Sequence, residues 1–434
     1  MSSQPETESE IRKHKILVSC AITIILLGLT GLSGWIAYSY TTHRQPAKQV
    51  VAGLSDRSVP ESPTPSVVEP PKIVHIPPPD VVRAIYITSW VASIPSWRER
   101  LIQLVEATEL NAVIIDVKDY SGYITLETDD PMLKGNTQIR AQDLSEWIDS
   151  LHKRGIYVIA RITVFQDPLY AKAHPSQAVQ TKDGRVWQDR NGLAFVDASS
   201  RPFWEYIVRI AKASEAAGFD ELNFDYIRFP TDGNLSNMSF PLSGPGVLAA
   251  DRRYKPQTVV SPSGSVSVVT TPSMSARERV LDGFFAYLDK ETESLGIPIS
   301  ADVFGLTTNN YDDLGIGQVL ETVARHFDYV CPMVYPSHYP SSFGGYANPA
   351  AHPYEIISIA MKSGVARLEA SGIPRKKLRP WIQDFDMGAD YDAAKIHAQK
   401  KAISDAGLTS FLVWDPSNKY TSGGFSLGKN EITR

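Results

Sequence analysis

The feature that most constrains this chain is a repeat of two hydrophobic periods, which begins at Arg83 and runs almost to the C-terminus. Short apolar runs of strand length alternate with longer amphipathic runs of helical period. The strand patterns fall at 83–88, 112–118, 156–163, 222–226, 298–303, 329–335, 378–383 and 409–414. Helical patterns fall between them at 97–109, 143–154, 201–217, 274–295, 316–327, 355–371 and 391–406. Glycines 155, 218, 296 and 372 stand where four of these helices stop. Strand–helix alternation implies parallel pairing with the helices outside. Eight repeats favour closure into a (β/α)8 TIM barrel, and no G-x-G-x-x-G follows the first strand to suggest a dinucleotide fold. The last residues are too polar and glycine-rich for an ordinary eighth helix.

Upstream of the repeat the composition changes twice. Residues 1–15 are polar and end in Arg12, Lys13, His14 and Lys15, and 16–42 carries no charged residue. That length matches a bilayer core, with Tyr38 and Tyr40 at the position of an interfacial aromatic belt. A buried core helix and a cleaved signal peptide are the alternatives. The run is too long for a usual signal h-region, and no A-x-A-like site follows it. The expectation is an uncleaved single-pass anchor with the N-terminus cytoplasmic and the barrel extracytoplasmic. Residues 43–80 hold nine of the thirty prolines and read as an extended linker. The expected organisation is a tail (1–15), a transmembrane helix (16–42), a Pro-rich linker (43–80), the barrel (81–416) and a C-terminal tail (417–434). A long insertion, 231–273, separates the fourth strand from the fourth helix, on the face where barrel enzymes place their sites.

Several function classes lose support. The formal net charge is −5 and the basic residues do not cluster beyond the N-terminus, so nucleic-acid binding has no electrostatic footing. Cys20 and Cys331 are the two cysteines, one in the apolar run and one in a strand pattern, which makes a disulfide between them implausible. The nine histidines are scattered, and only His338 falls near a strand end; no metal site and no cofactor is legible. Gly388 and Gly423-Gly424 are weak candidates for a phosphate loop.

The strand ends carry the chemistry. In a barrel they converge on one face. Here they offer Asp116 and Lys118, Arg161, Asn223 with Asp225 and Arg228, Ser300 with Asp302, Tyr335, Gln383 with Asp384, and Trp414. In the run Asp220–Pro230, Leu222, Phe224 and Tyr226 alternate with Asn223 and Asp225, which places the polar pair inside the barrel. Buried charges need partners, so a purely structural barrel has little reason to collect so many there. Two carboxylates on adjacent strands suit glycoside hydrolysis, with Asp225 as nucleophile and Asp302 as general acid/base. A retaining enzyme needs the two carboxyls about 5 Å apart. Lys118, Arg161 or Arg228 would keep Asp225 ionised, and Tyr335 and Trp414 would stack on sugar faces. Plainer roles compete. Asp225 could cap the next element or pair with Arg228, Lys118 could pair with Asp116 or Asp119, and Trp414 could be core.

Five segments carry a resemblance: Asn223–Pro230, Asp116–Lys118, Ile299–Phe304, Met333–Pro336 and Pro380–Phe385. Together they resemble the bacterial glycosyl hydrolase domain family of unknown specificity, itself distantly similar to the α-amylase superfamily of TIM barrels. The likeness spans about Val82 to Asp415. It implies a glycosidase barrel with its nucleophile on the fourth strand, at Asp225. Amylases carry an arginine two residues before the nucleophile and a glutamate acid on the fifth strand; this chain has Asn223 and Asp302 there. Asp384 is the match for their third carboxylate. The implied substrate is a poly- or oligosaccharide, with Asp116, Lys118, Arg161, Arg228, Tyr335, Gln383, Asp384 and Trp414 as binding residues. The alternative is a barrel that binds carbohydrate without cleaving it.

Overall fold

A computed structural model describes residues 74–249, 258–260, 266–268 and 274–428. Eight parallel strands close into a barrel. They are β1 (Arg83–Ile87), β2 (Ala112–Lys118), β3 (Tyr157–Thr163), β4 (Glu221–Asp225), β5 (Ile299–Phe304), β6 (Tyr329–Met333), β7 (Trp381–Gln383) and β8 (Phe411–Trp414). The principal helices between them are α1 (Pro95–Ala107), α2 (Leu144–Lys153), α3 (Arg201–Ala216), α4 (Ala276–Thr292), α5 (Leu320–His326), α6 (Pro353–Ala370) and α7 (Ala393–Asp405). β8 pairs with β1, with Ala84 opposite Leu412, which closes the ring. The expected (β/α)8 architecture is therefore present. The expected anchor at 16–42 and most of the linker lie outside the described residues. Among the described residues no helix is long and apolar enough to cross a membrane.

Alternation along each strand builds two cores. Outward-facing residues such as Leu222 and Phe224 join the layer between barrel and helices. Inward-facing Ala84, Tyr86, Ile114, Tyr157, Ile159, Trp381 and Leu412 fill the lumen. Deeper in the barrel the Arg379 guanidinium donates to both Glu221 carboxylate oxygens, at 2.7 and 2.9 Å. Ser300 and Tyr157 hydroxyls donate to the same carboxylate, so the buried Glu221 charge is met by three donor groups.

Local chemistry explains most boundaries. α4 starts at a capping box between Ser275 and Glu278. Gly155 and Gly372 both stand at φ +72°, closing α2 and α6 as their positions suggested. α5 begins later than its apolar pattern, at Leu320, because Gly317 takes φ +85° and a side chain there would meet Leu281 at 2.7 Å. β7 is shorter than its pattern because Pro380 offers no N–H to the ladder. No regular helix follows β8 among the described residues. The segment 417–428 fills that place: Lys400 of α7 donates to Gly424 O, and Gly428 N donates to Ala107 O of α1.

Two excursions rise above the C-terminal ends of the strands. Residues 164–200, after β3, hold a short helix (Pro168–Ala173) and several antiparallel bridges. The start of the 231–273 insertion packs on that excursion, with Met238–Ser239 pairing antiparallel to Gln180–Thr181. Asp197 accepts from the Leu242 and Ser243 amides, and Trp187 Nε1 donates to Asn234 O. Further on, 258–260 and 266–268 form a two-stranded antiparallel ladder.

Candidate active site

Three carboxylates from adjacent strands meet at one guanidinium. Arg161 of β3 donates through Nη1 to Asp116 Oδ1 of β2 at 2.7 Å, and through Nη2 to Asp225 Oδ2 of β4. Its Nε lies 3.8 Å from Asp302 Oδ2 of β5. Parallel register puts them there, because Arg161 stands opposite Asp116 on one side and Asn223 on the other. Asn223 stands two residues before Asp225, and a guanidinium from the neighbouring strand reaches that carboxylate. The Asp225 and Asp116 carboxylates hold Arg161 protonated against the cost of its burial.

The two central carboxyls have different surroundings. Asp225 accepts the Arg161 guanidinium and its neighbour's backbone amide, Tyr226 N, at 2.5 Å. Tyr226 sits at φ +52°, left-handed backbone that is uncommon for a bulky residue. Strain of this kind costs on the order of 1–3 kcal/mol and persists where surrounding packing imposes it. Asp302 is 1% exposed. Its Oδ1 accepts from Trp381 Nε1 at 2.7 Å and from Asn223 Nδ2 at 3.0 Å. Burial raises its pKa to about 8, with the Asp225 charge pushing the same way. Burial also raises Asp116, whose Oδ2 accepts from the Tyr86 hydroxyl.

Two adjoining cavities open over this floor. The first, ≈ 350 Å³, exposes Asp225 and Asp302 and is walled by Phe304, Leu306, Met333, Tyr335, Trp381 and Trp414. The second, ≈ 420 Å³, exposes Asp116 and Asp119 under Trp90, Tyr120 and the 164–200 excursion. Arg161, Tyr226, Arg228 and Trp414 line both. Tyr335 and Trp414 lie 5.1 Å apart with planes tilted by 31°. Trp414 is half-buried with its ring in both cavities, so core packing does not use up its surface. Trp90 is 57% exposed and carries the Arg140 guanidinium 4.1 Å from its ring centroid.

Three expected binding residues face elsewhere. Lys118 and Asp116 do not share a pleat face, because the β2–β3 register shifts between them in a bulge. Lys118 is fully buried; its ammonium donates to Thr163 O at 2.6 Å and pairs with Asp167 at 3.1 Å, rather than with Asp116 or Asp119. That pair anchors the start of the 164–200 excursion. Gln383 is also buried, accepting from Ser337 N and donating to Phe385 O, so it braces the loop after β6. Asp384 accepts from Thr421 N, and burial raises its pKa to about 6; it lines neither cavity. Asp225 does not pair with Arg228. Gln166, Asp189, Asn191 and Phe195 line the second cavity and had no strand-end signal, because they lie on the excursion. Among the described residues no cluster of three or more His, Cys, Asp or Glu is arranged to hold a metal.

No curated protein sequence matches the chain. A hypothetical protein from Ruminiclostridium thermocellum is 28% identical over 50% of this chain and 97% of its own, with a TM-score of 0.39. The α-galactosidase TtGalA from Thermus thermophilus is 11% identical, covering 83% of this chain and 62% of its own, with a TM-score of 0.46. The glycoside hydrolase domain of PelA from Pseudomonas aeruginosa is 12% identical, covering 80% and 97%, with a TM-score of 0.40. Over residues 84–420, nearly the whole barrel with its strand-end carboxylates, the chain matches the family described as "Putative glycosyl hydrolase domain", and it belongs to that family.

Proposed function

We propose that the chain is a membrane-anchored, extracytoplasmic glycoside hydrolase that cuts a poly- or oligosaccharide by a two-carboxylate mechanism. One observation carries the reading: two carboxyls with opposite surroundings face the same cavity. Asp225, in contact with a guanidinium and an amide, suits an anionic nucleophile. Asp302, held up to about 8 by burial and by Asp225, keeps a proton at neutral pH and suits the general acid. Both N–H donors to Asp302 go to Oδ1, which leaves Oδ2 to carry that proton. Tyr335 and Trp414 offer the aromatic faces on which a pyranose packs.

The pH dependence follows with a definite sign. Asp302 is protonated below about 8, so kcat/KM falls about tenfold per unit above that pH. Its folded-state pKa lies above the ordinary value of 3.8, so its contribution to stability is full below that value and is lost as pH rises through about 8. In Asp302→Asn the alkaline limb disappears, and turnover drops by about 10²–10⁴-fold. A profile without an inflection near 8, or an inflection that survives in Asp302→Asn, would overturn the assignment of the acid.

The anchor rests on the charge-free run 16–42, which follows Arg12, Lys13 and Lys15. Alkaline carbonate washing of membranes from cells making the full chain is expected to leave it in the pellet. Release into the supernatant contradicts an integral anchor.

A further inference from the structure

The strongest unabsorbed feature is Arg228. It is 9% exposed and lines both cavities where they meet. Every other strongly buried arginine described above is held by a carboxylate: Arg161 by Asp116 and Asp225, Arg379 by Glu221. Arg228 has no ion pair among the described residues. Its Nη1 donates to Phe229 O at 3.1 Å and to Thr231 Oγ1 at 3.3 Å. Nε and Nη2 donate to no group among the described residues. Three rings surround the guanidinium, with Phe304 at 4.8 Å, Tyr226 at 4.9 Å and Phe195 at 5.8 Å. Those rings attract a cation, but they also exclude water from it. Burial pulls its pKa down, the sign of a charge short of compensation.

An uncompensated buried charge is costly, and a guanidinium fork with free donors is shaped for a planar oxyanion pair. We infer that Arg228 receives a carboxylate carried by the sugar, so that the substrate is a polymer of carboxylate-bearing residues. This rests on the glycoside hydrolase reading above and names its substrate class. A uronic acid and a lactyl ether both supply this carboxylate. Arg161 and Arg228 differ in role: Arg161 is consumed by the protein's own carboxylates, whereas Arg228 keeps donors for a ligand. The nearby Tyr226, Asp225, Asp232 and Asp189 offset only part of the burial cost, and none of these carboxylates bonds to the fork.

The test compares each charged polymer with its own carboxyl-reduced form, which keeps the linkage and loses the charge. The full chain is incubated with polygalacturonate, hyaluronan and peptide-free peptidoglycan strands, each native and carboxyl-reduced, and reducing ends are counted. Native polymer is expected to be cut at least about tenfold faster than its reduced form for one of them. Cleavage of the first two assigns a uronate; cleavage of the peptidoglycan strands assigns the lactyl group. In Arg228→Met that ratio falls towards one, and Arg228→Lys restores part of it; the wild-type comparison stands even where a variant fails to fold. Equal or faster cutting of the reduced forms overturns the inference and leaves the hydrolase reading intact. No cutting of these polymers with cutting of another, neutral polysaccharide overturns the inference alone, and no cutting of any polysaccharide sinks the hydrolase reading. In that case retardation of the Asp225→Asn chain in polyuronate gels, lost with Arg228→Met, still supports the carboxylate site, and absence of retardation removes it.

Discussion

Replacing Asp225 with Asn is expected to lower kcat/KM by about 10⁴-fold or more while the melting temperature stays within a few degrees of wild type. The activity loss follows from chemistry. An amide cannot attack an anomeric carbon, and the Asp225 carboxylate faces the same cavity as Asp302. The small stability effect follows from the contacts. Arg161 reaches Oδ2 and the Tyr226 amide Oδ1, so Asn keeps the shape and one of the two acceptors, and Arg161 keeps its bond to Asp116. Asp225→Ala separates a nucleophile from a structural residue. Added formate or azide fills the space and is expected to restore measurable turnover. Turnover of the Asn variant within tenfold of wild type contradicts the nucleophile role.

Replacing Arg161 with Met is expected to damage fold and activity together. It removes the cation from among three buried carboxyls and leaves Asp116 and Asp225 without a counter-charge. Breaking a buried pair by removing one partner costs about 3–5 kcal/mol, read as a lower urea midpoint at unchanged slope. Arg161→Lys does not substitute, because one ammonium cannot present two parallel donors to Asp116 and Asp225. Adding Asp116→Asn to Arg161→Met is expected to recover part of the stability and none of the activity, since Asp225 remains unpaired. An Arg161→Met chain that melts and turns over like wild type removes the hub from the account.

The sequence revealed the barrel because barrel physics is periodic. Every strand had its own apolar run, every helix its amphipathic face, and Asn223 and Asp225 could be assigned to the lumen by alternation alone. Asp116, Arg161, Arg228, Tyr335 and Trp414 reached the cavities for the same reason: each stands at or just past a strand end. Alternation failed where the backbone left the ideal pleat. The bulge in β2 turns Lys118 into the structure, towards Asp167, and no composition cue marks it. The roof was invisible for a different reason. Residues 164–200 fold through single bridges and side-chain caps such as Asp167, so Gln166, Asp189 and Asn191 carry no period to read. Trp90 lies on a short helix after β1, where an exposed aromatic has no sequence signature. Gln383 and Asp384 sit at a strand end as expected, yet contacts with the loop after β6 and with Thr421 turn them away from the cavities. Strand position places a residue near the mouth of the barrel; neighbours from other elements decide whether it faces the substrate.

The most direct test is reducing-end release by the purified full chain on a panel of α- and β-linked neutral and acidic polysaccharides and peptidoglycan, run beside Asp225→Asn at matched melting temperature. The account predicts that wild type releases reducing ends from at least one polymer and that the variant is silent on it. Wild type that binds a polysaccharide and cuts none of the panel would instead mark a carbohydrate-binding barrel without catalysis, and release that survives Asp225→Asn would place the chemistry elsewhere.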